Sequence, residues 1–179
     1  MLELGRQTKS KNTNYIPPPF SYGFLTPFYD LMMRWGARES TFKPRLVEQA
    51  RIERNHRVLD LGCGTATLTI LIKKTHPDTK VVGIDADTRV IELARSKVAS
   101  AGVDVALDYV TVLDLPYPDD SFNRVMSSMV FHHLSRDNKV RSLKEAFRVL
   151  KPGGGIARRR PCQTAECAHV LAFTDYRTS

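Results

Sequence analysis

The chain has 179 residues, with 27 Lys and Arg against 19 Asp and Glu, a formal net charge of +8. That length fits one domain with a real core, and no uninterrupted apolar run approaches the ~18–20 residues of a membrane span. Three cysteines make no disulfide framework and the amino end has no apolar core of signal-peptide length, so a cytoplasmic protein is expected.

The charge is unevenly placed: residues 1–57 carry 10 basic against 5 acidic groups, residues 58–154 carry 13 against 12, and residues 155–179 carry 4 against 2. The basicity therefore belongs largely to the amino-terminal arm, where residues 1–24 read as a flexible basic leader closed by the extended Pro17-Pro18-Pro19. No aromatic–basic stacking pattern accompanies these charges, which argues against a nucleic-acid partner. A domain over 25–154 follows. Phe28, Leu31, Met32 and Trp35 give Leu25 to Trp35 a helical stripe, and Phe42, Leu46, Val47 and Ala50 do the same for Thr41 to Ile52.

Strands and helices then alternate. A strand is expected over about His56–Leu61, a helix over Thr67–Lys74, and a second strand over Lys80–Asp85. The helix over Asp87–Gly102 has a buried stripe of Val90, Ile91, Ala94 and Val98, with Asp87 as amino cap and Gly102 as terminator. Strands over Asp104–Val112 and Phe122–Ser128 precede a helix over about Asp137–Leu150. Alternation of this kind implies a parallel sheet with its ligand at the carboxyl ends of the strands.

The first strand ends in Asp60-Leu61-Gly62-Cys63-Gly64-Thr65-Ala66, a carboxylate followed by a glycine turn against which a ligand can lie. The second ends in Asp85, twenty-one residues beyond Gly64, a carboxylate placed to meet ribose hydroxyls. Dinucleotide binders use G-x-G-x-x-G and face a pyrophosphate. Here an acid precedes the first glycine by two places, Ala66 stands where a third glycine would, and a cationic nucleoside suits the site better.

The stretch resembles motif I of the class I S-adenosylmethionine (SAM)-dependent methyltransferases, [DE]-x-G-x-G-x-G, and the resemblance runs on over roughly residues 56–154. Leu115-Pro116-Tyr117-Pro118-Asp119-Asp120-Ser121-Phe122 is similar to that family's connection into strand 4. Val130-Phe131-His132-His133-Leu134 is similar to its L-H-H-L sequel, and Glu145-Ala146-Phe147-Arg148-Val149-Leu150-Lys151-Pro152-Gly153-Gly154 to its E-x-x-R-V-L-K-P-G-G run. Leu25-Thr26-Pro27-Phe28-Tyr29-Asp30 also resembles the opening of quinone-biosynthesis and related small-molecule methyltransferases.

The resemblance implies an α/β fold, a Rossmann-like doubly wound parallel sheet with amino-terminal helices over the cofactor pocket. It implies SAM as cofactor and a small-molecule methyl acceptor. Asp60, Gly62 and Gly64 border the amino-acid tail of SAM and Asp85 the ribose, with Cys63, Ala86, Thr111, Val112 and Ser127 completing the cofactor-binding set. Thr111 stands where the family often has an adenine-binding Asp, and Asp114 lies three residues off register. His132 and His133 read as cleft wall, and no catalytic base is assigned.

Residues 155–179 read as an atypical tail that leaves the carboxyl-terminal half of the fold incomplete. Arg158-Arg159-Arg160-Pro161 occupy the place of a strand buried on both faces, where unpaired charge and a missing ladder donor are costly. A truncated or out-of-frame ending and a natural short variant both account for this. Either leaves strand 4 as an exposed edge, and a homodimer through that edge is expected. A SAM-binding remnant without turnover is the alternative to an active methyltransferase; a nicotinamide-dependent oxidoreductase fits Asp60 and Ala66 poorly.

Overall fold

The computed structural model describes residues 42–158. The leader, the helix expected over Leu25–Trp35 with Tyr29 and Trp35, Arg159 to Pro161, and Cys162 and Cys167 lie outside the described residues. The elements are helix α1 (residues 42–49), β1 (Arg57–Leu61), α2 (Thr67–Thr75), β2 (Lys80–Asp85), α3 (Thr88–Ala101), β3 (Ala106–Tyr109), β4 (Phe122–Ser127), a 3-10 turn (Val130–His133), α4 (Arg136–Arg148) and β5 (Leu150–Arg158). No helix among the described residues is long and apolar enough to cross a membrane.

The five strands form one sheet in the order β3-β2-β1-β4-β5. Every neighbouring pair is parallel, as the expected α/β fold requires. The chain winds outward through β2 and β3 and then returns to place β4 on the other side of β1. That reversal opens a crevice at the carboxyl ends of β1 and β4, where wound sheets bind ligands.

Side-chain alternation divides the strands between two cores. On one face Leu59, Leu61, Val125 and Ile156 pack with Ala146 of α4 and with Val112 and Leu115 of the β3–β4 connection. On the other, Val58, Val81, Met126 and Ala157 pack beneath Leu46, Val47 and Ala50 of α1 and Leu68 and Ile72 of α2. The ends of α3 follow local chemistry. The Asp87 carboxylate accepts from the Arg89 amide, and Gly102 closes the helix in the left-handed region at φ 62°.

The β3–β4 connection, residues 110–121, has no helix, and α4 holds it by a clamp. The Arg148 guanidinium donates to the carbonyls of Leu115 (2.8 Å) and Tyr117 (2.8 Å) and to Asp119 (2.9 Å). Glu145 accepts from Arg148 and from the Leu115 amide at 2.9 Å. The two motifs around Leu115 and Glu145 are thus halves of one scaffold, holding the segment that carries Thr111 and Val112.

The carboxyl-terminal edge corrects the sequence reading. β5 pairs with β4 along Arg124↔Gly155 to Ser127↔Arg158, so β4 is an interior strand and the break expected at 154 falls inside β5. Gly155, Ile156 and Ala157 are small or apolar and buried, which is what a strand at this place needs. Pro152 and Gly153 do not break the ladder, because the register shifts between Phe122 and Arg124 and leaves them outside it. Arg158 stands at the strand end with its guanidinium over the Phe131 ring, 5.3 Å from the centroid. The strand expected over Asp104–Val112 is shorter, Ala106–Tyr109: the Val110 amide makes a last bond to the Asp85 carbonyl and the chain then turns.

Candidate functional site

The crevice is floored by the turn after β1. Gly62 and Gly64 both have positive φ, 66° and 56°, a conformation that strains other residues. A Cβ on Gly62 would stand 2.5 Å from the Val130 Cβ, so Gly62 lets the 3-10 turn after β4 close against β1. A Cβ on Gly64 would meet nothing within 4 Å, and that side of the turn faces open space. Between them, Cys63 is buried and its amide donates to the Ile84 carbonyl at 2.8 Å. Burial and the nearby Asp60 and Asp85 charges push its thiol well above the ordinary range, which leaves it protonated and unreactive.

Two carboxylates flank the turn. Asp85, at the tip of β2, accepts from the Gly64 amide (3.0 Å) through Oδ2 and from the Asp87 amide (3.1 Å) through Oδ1. A carboxylate has about four acceptor positions, so Asp85 keeps capacity for a diol. Burial raises its pKa, against the pull of these amide bonds. Asp60 is fully buried; its Oδ2 accepts from the Thr69 hydroxyl of α2 at 2.8 Å, while Oδ1 has no hydrogen-bond partner. Burial pushes its pKa up to about 6, against the Thr69 hydroxyl and the charge of Lys43, which favour the anion. An ionised carboxyl with one unsatisfied oxygen is a receptor for a cationic hydrogen-bond donor.

Thr111 and Val112 follow directly on the bond between Val110 and Asp85, beside the β2 tip. Thr111 is exposed and its hydroxyl accepts from the Leu113 amide at 3.3 Å, while the Val112 side chain is buried in the core. Val112 can thus offer a ligand its backbone rather than its side chain. Ala86 is exposed next to Asp85. Ser127 is buried at the end of β4, its hydroxyl without a hydrogen-bond partner. Asp60 pairs in register with Met126, so alternation turns the Ser127 side chain to the opposite face. The structure thus gathers Asp60, Gly62, Cys63, Gly64, Asp85 and Ala86 at one turn and sets Ser127 apart from Asp60.

His132 and His133 are exposed on the 3-10 turn. Among the described residues no group of three or more His, Cys, Asp or Glu could hold a metal ion. Sequence reasoning missed Thr69, which anchors Asp60, Val130, which selects glycine at 62, and Lys43, which acts on Asp60. A charge inside the Phe42, Leu46, Val47 and Ala50 stripe was the available signal for Lys43.

Comparison with known proteins matches this region: residues 58–154 fit the methyltransferase domain family. The demethylmenaquinone methyltransferase of Thermus thermophilus is 34% identical over 135 residues, 74% of this chain and 60% of the relative. The ubiquinone/menaquinone biosynthesis C-methyltransferase UbiE of Proteus mirabilis is 30% identical over 160 residues, 86% of this chain and 62% of the relative. The YcgJ protein of Bacillus subtilis superposes with a TM-score of 0.60 at 30% identity, over 65% of this chain and 49% of the other. The chain spans about 60% of the length of these curated relatives. With the all-parallel sheet and the acid–glycine turn at its reversal point, the match places this chain in the class I SAM-dependent methyltransferase family.

Proposed function

We propose that the chain binds SAM in the crevice above β1 and β2 and transfers its methyl group to a small aromatic acceptor of the quinone-precursor type. The observation that carries the reading is the buried Asp60 with its unpartnered Oδ1, beside a glycine turn open at Gly64. A cation bearing N–H donors satisfies that oxygen, and the α-ammonium of SAM is such a group. Asp85 has acceptor capacity left for the two ribose hydroxyls, Ala86 leaves room beside them, and Thr111 with the Val112 backbone borders the adenine. Cys63 serves through its backbone within the turn. Ser127, on the opposite face of the sheet from Asp60, completes the cofactor-binding set away from the amino-acid tail. The acceptor class rests on the relatives' names, one of which names demethylmenaquinone and the other ubiquinone/menaquinone biosynthesis.

When bound, SAM supplies a methyl group already activated on a sulfonium. The chain therefore has to align the acceptor and exclude water rather than supply a nucleophile. The protonated thiol of Cys63 takes no covalent part. The near-neutral balance of residues 58–154 supports a small-molecule acceptor over a nucleic acid, and the reading places the protein in the cytoplasm. Among the described residues β3 and β5 are the edge strands and β4 is interior, so two copies pairing edge to edge would use one of these two.

Calorimetric titration of the full chain with SAM, NAD and an Asp85→Ala control tests cofactor choice. Heat with SAM alone, lost in the variant, is expected; no heat and no thermal shift at millimolar SAM sinks the reading. Transfer of label from SAM to a demethylated quinone precursor tests turnover. Tight SAM binding without any labelled product, from that precursor or from cell extract, would mark a binding remnant instead.

A further inference from the structure

Lys43 is a charged residue where the packing calls for an apolar one. Residues 42, 43, 46, 47 and 50 are the buried stripe of α1, and Lys43 is only 6% exposed. The placement of α1 explains where its ammonium goes. At the carboxyl end of the helix, the Arg124 guanidinium donates to the Ala50 carbonyl (2.8 Å) and the Arg51 carbonyl (3.0 Å). Arg124 is the register partner of Val58, two residues before Asp60 on β1. Lys43 lies seven residues back from Ala50, about 10 Å along the helix axis. Asp60 lies about 7 Å beyond Val58 toward the carboxyl end of the strand. Leu46 and Val47, one turn on from Lys43, share a core cluster with Val58 and with Met126, the register partner of Asp60, and the Lys43 charge acts on that acid.

A buried pair of this kind returns less stability than two well-packed apolar side chains, so folding alone gives no reason for it. A ligand with two opposite charges does. The amino-acid tail of SAM carries an ammonium and a carboxylate on one carbon, and Asp60 answers only the first. We propose that Lys43 and Asp60 form a two-charge receptor for this zwitterion, Lys43 taking the carboxylate while Asp60 Oδ1 takes the ammonium. This rests on the SAM-binding reading above and adds a residue from an element outside the matched region, 58–154. Arg124 is the positioning residue, since it fixes the helix end that sets how far Lys43 reaches.

The test compares SAM with decarboxylated SAM, which keeps the sulfonium, ribose, adenine and ammonium but lacks the carboxylate. Titrations use the full chain and its Lys43→Met and Lys43→Arg variants. The wild type is expected to prefer SAM by roughly 10- to 100-fold, the range of a charge-assisted bond in a desolvated site. Lys43→Met should reduce that preference to about threefold by weakening SAM, and Lys43→Arg should keep most of it. If Lys43→Met keeps the full preference, the lysine is only a counter-ion for Asp60 and the proposal is overturned. A wild type that does not distinguish the two compounds overturns it too, whether or not the variants fold. Binding of neither compound would bring down the SAM reading itself, a separate result.

Discussion

The α4 clamp and the turn after β1 handle a carboxylate in opposite ways. At the α4 clamp, Glu145 has its pKa held below the ordinary range, first by the Arg148 guanidinium bonded to it, against a modest burial penalty. Every nitrogen of Arg148 donates, and the Leu115 amide completes the set. At the β1 turn, Asp60 is fully buried, with a raised pKa and one oxygen unsatisfied. The first arrangement spends its polar groups on stability. The second leaves a favourable interaction unmade, which is what a ligand site requires and what a scaffold avoids.

The largest effect expected from this contrast is at the clamp. Arg148→Ala strands two carbonyls and two carboxylates and frees the connection, at a cost of about 3 kcal/mol in a urea-unfolding measurement. Asp60→Asn should do the reverse. Removing a poorly solvated charge is expected to raise stability by about 1 kcal/mol at pH 7.5, while SAM affinity falls roughly 10- to 100-fold. A stability loss with unchanged affinity would make Asp60 part of the scaffold and erase the contrast.

The pH dependence sharpens it further. Asp60's folded pKa, about 6, lies above its ordinary value, so its contribution to stability is fully present below that ordinary value and is lost as pH rises through 6. Binding of a cationic tail needs the ionised form and has the opposite sign. SAM affinity should be level above pH 7 and fall about tenfold per unit below 6, with Asp60→Asn flattening the profile. Asp85, also raised, would add to the acid limb.

What could be read from the sequence was local. β2 with its terminal Asp85, and α3 between Asp87 and Gly102, follow from periodicity and capping within one element. The acid–glycine turn was legible as a site because its residue types are chemically specific at short spacing. Long-range partners were not. The motif around Glu145 shows its purpose only once the chain brings Leu115 back to it, thirty residues away. β5 was misjudged because Arg158 was weighed with Arg159, Arg160 and Pro161 as the body of a strand buried on both faces, whereas Gly155, Ile156 and Ala157 form the buried run and Arg158 stands at its end. Lys43 was passed over because only the apolar members of its stripe were counted.

The smallest effect concerns Ala66, where the family motif has glycine. Ala66 caps α2 in the left-handed region at φ 59°, ψ 23°, with no side-chain cap bond, and it is fully buried against Ile70, Ala94 and Val98. Holding a Cβ in that conformation costs about 1 kcal/mol. Glycine would relieve the strain, but it would forfeit a buried methyl worth about 0.8 kcal/mol and add freedom to the unfolded chain. These terms nearly cancel, so Ala66→Gly should change unfolding stability by less than about 1 kcal/mol. Its SAM affinity should likewise stay within about threefold, because the open side of the turn lies at Gly64. A much larger affinity gain would mean that the Ala66 methyl crowds the cofactor, and would move the boundary of the site from Gly64 to the first turn of α2.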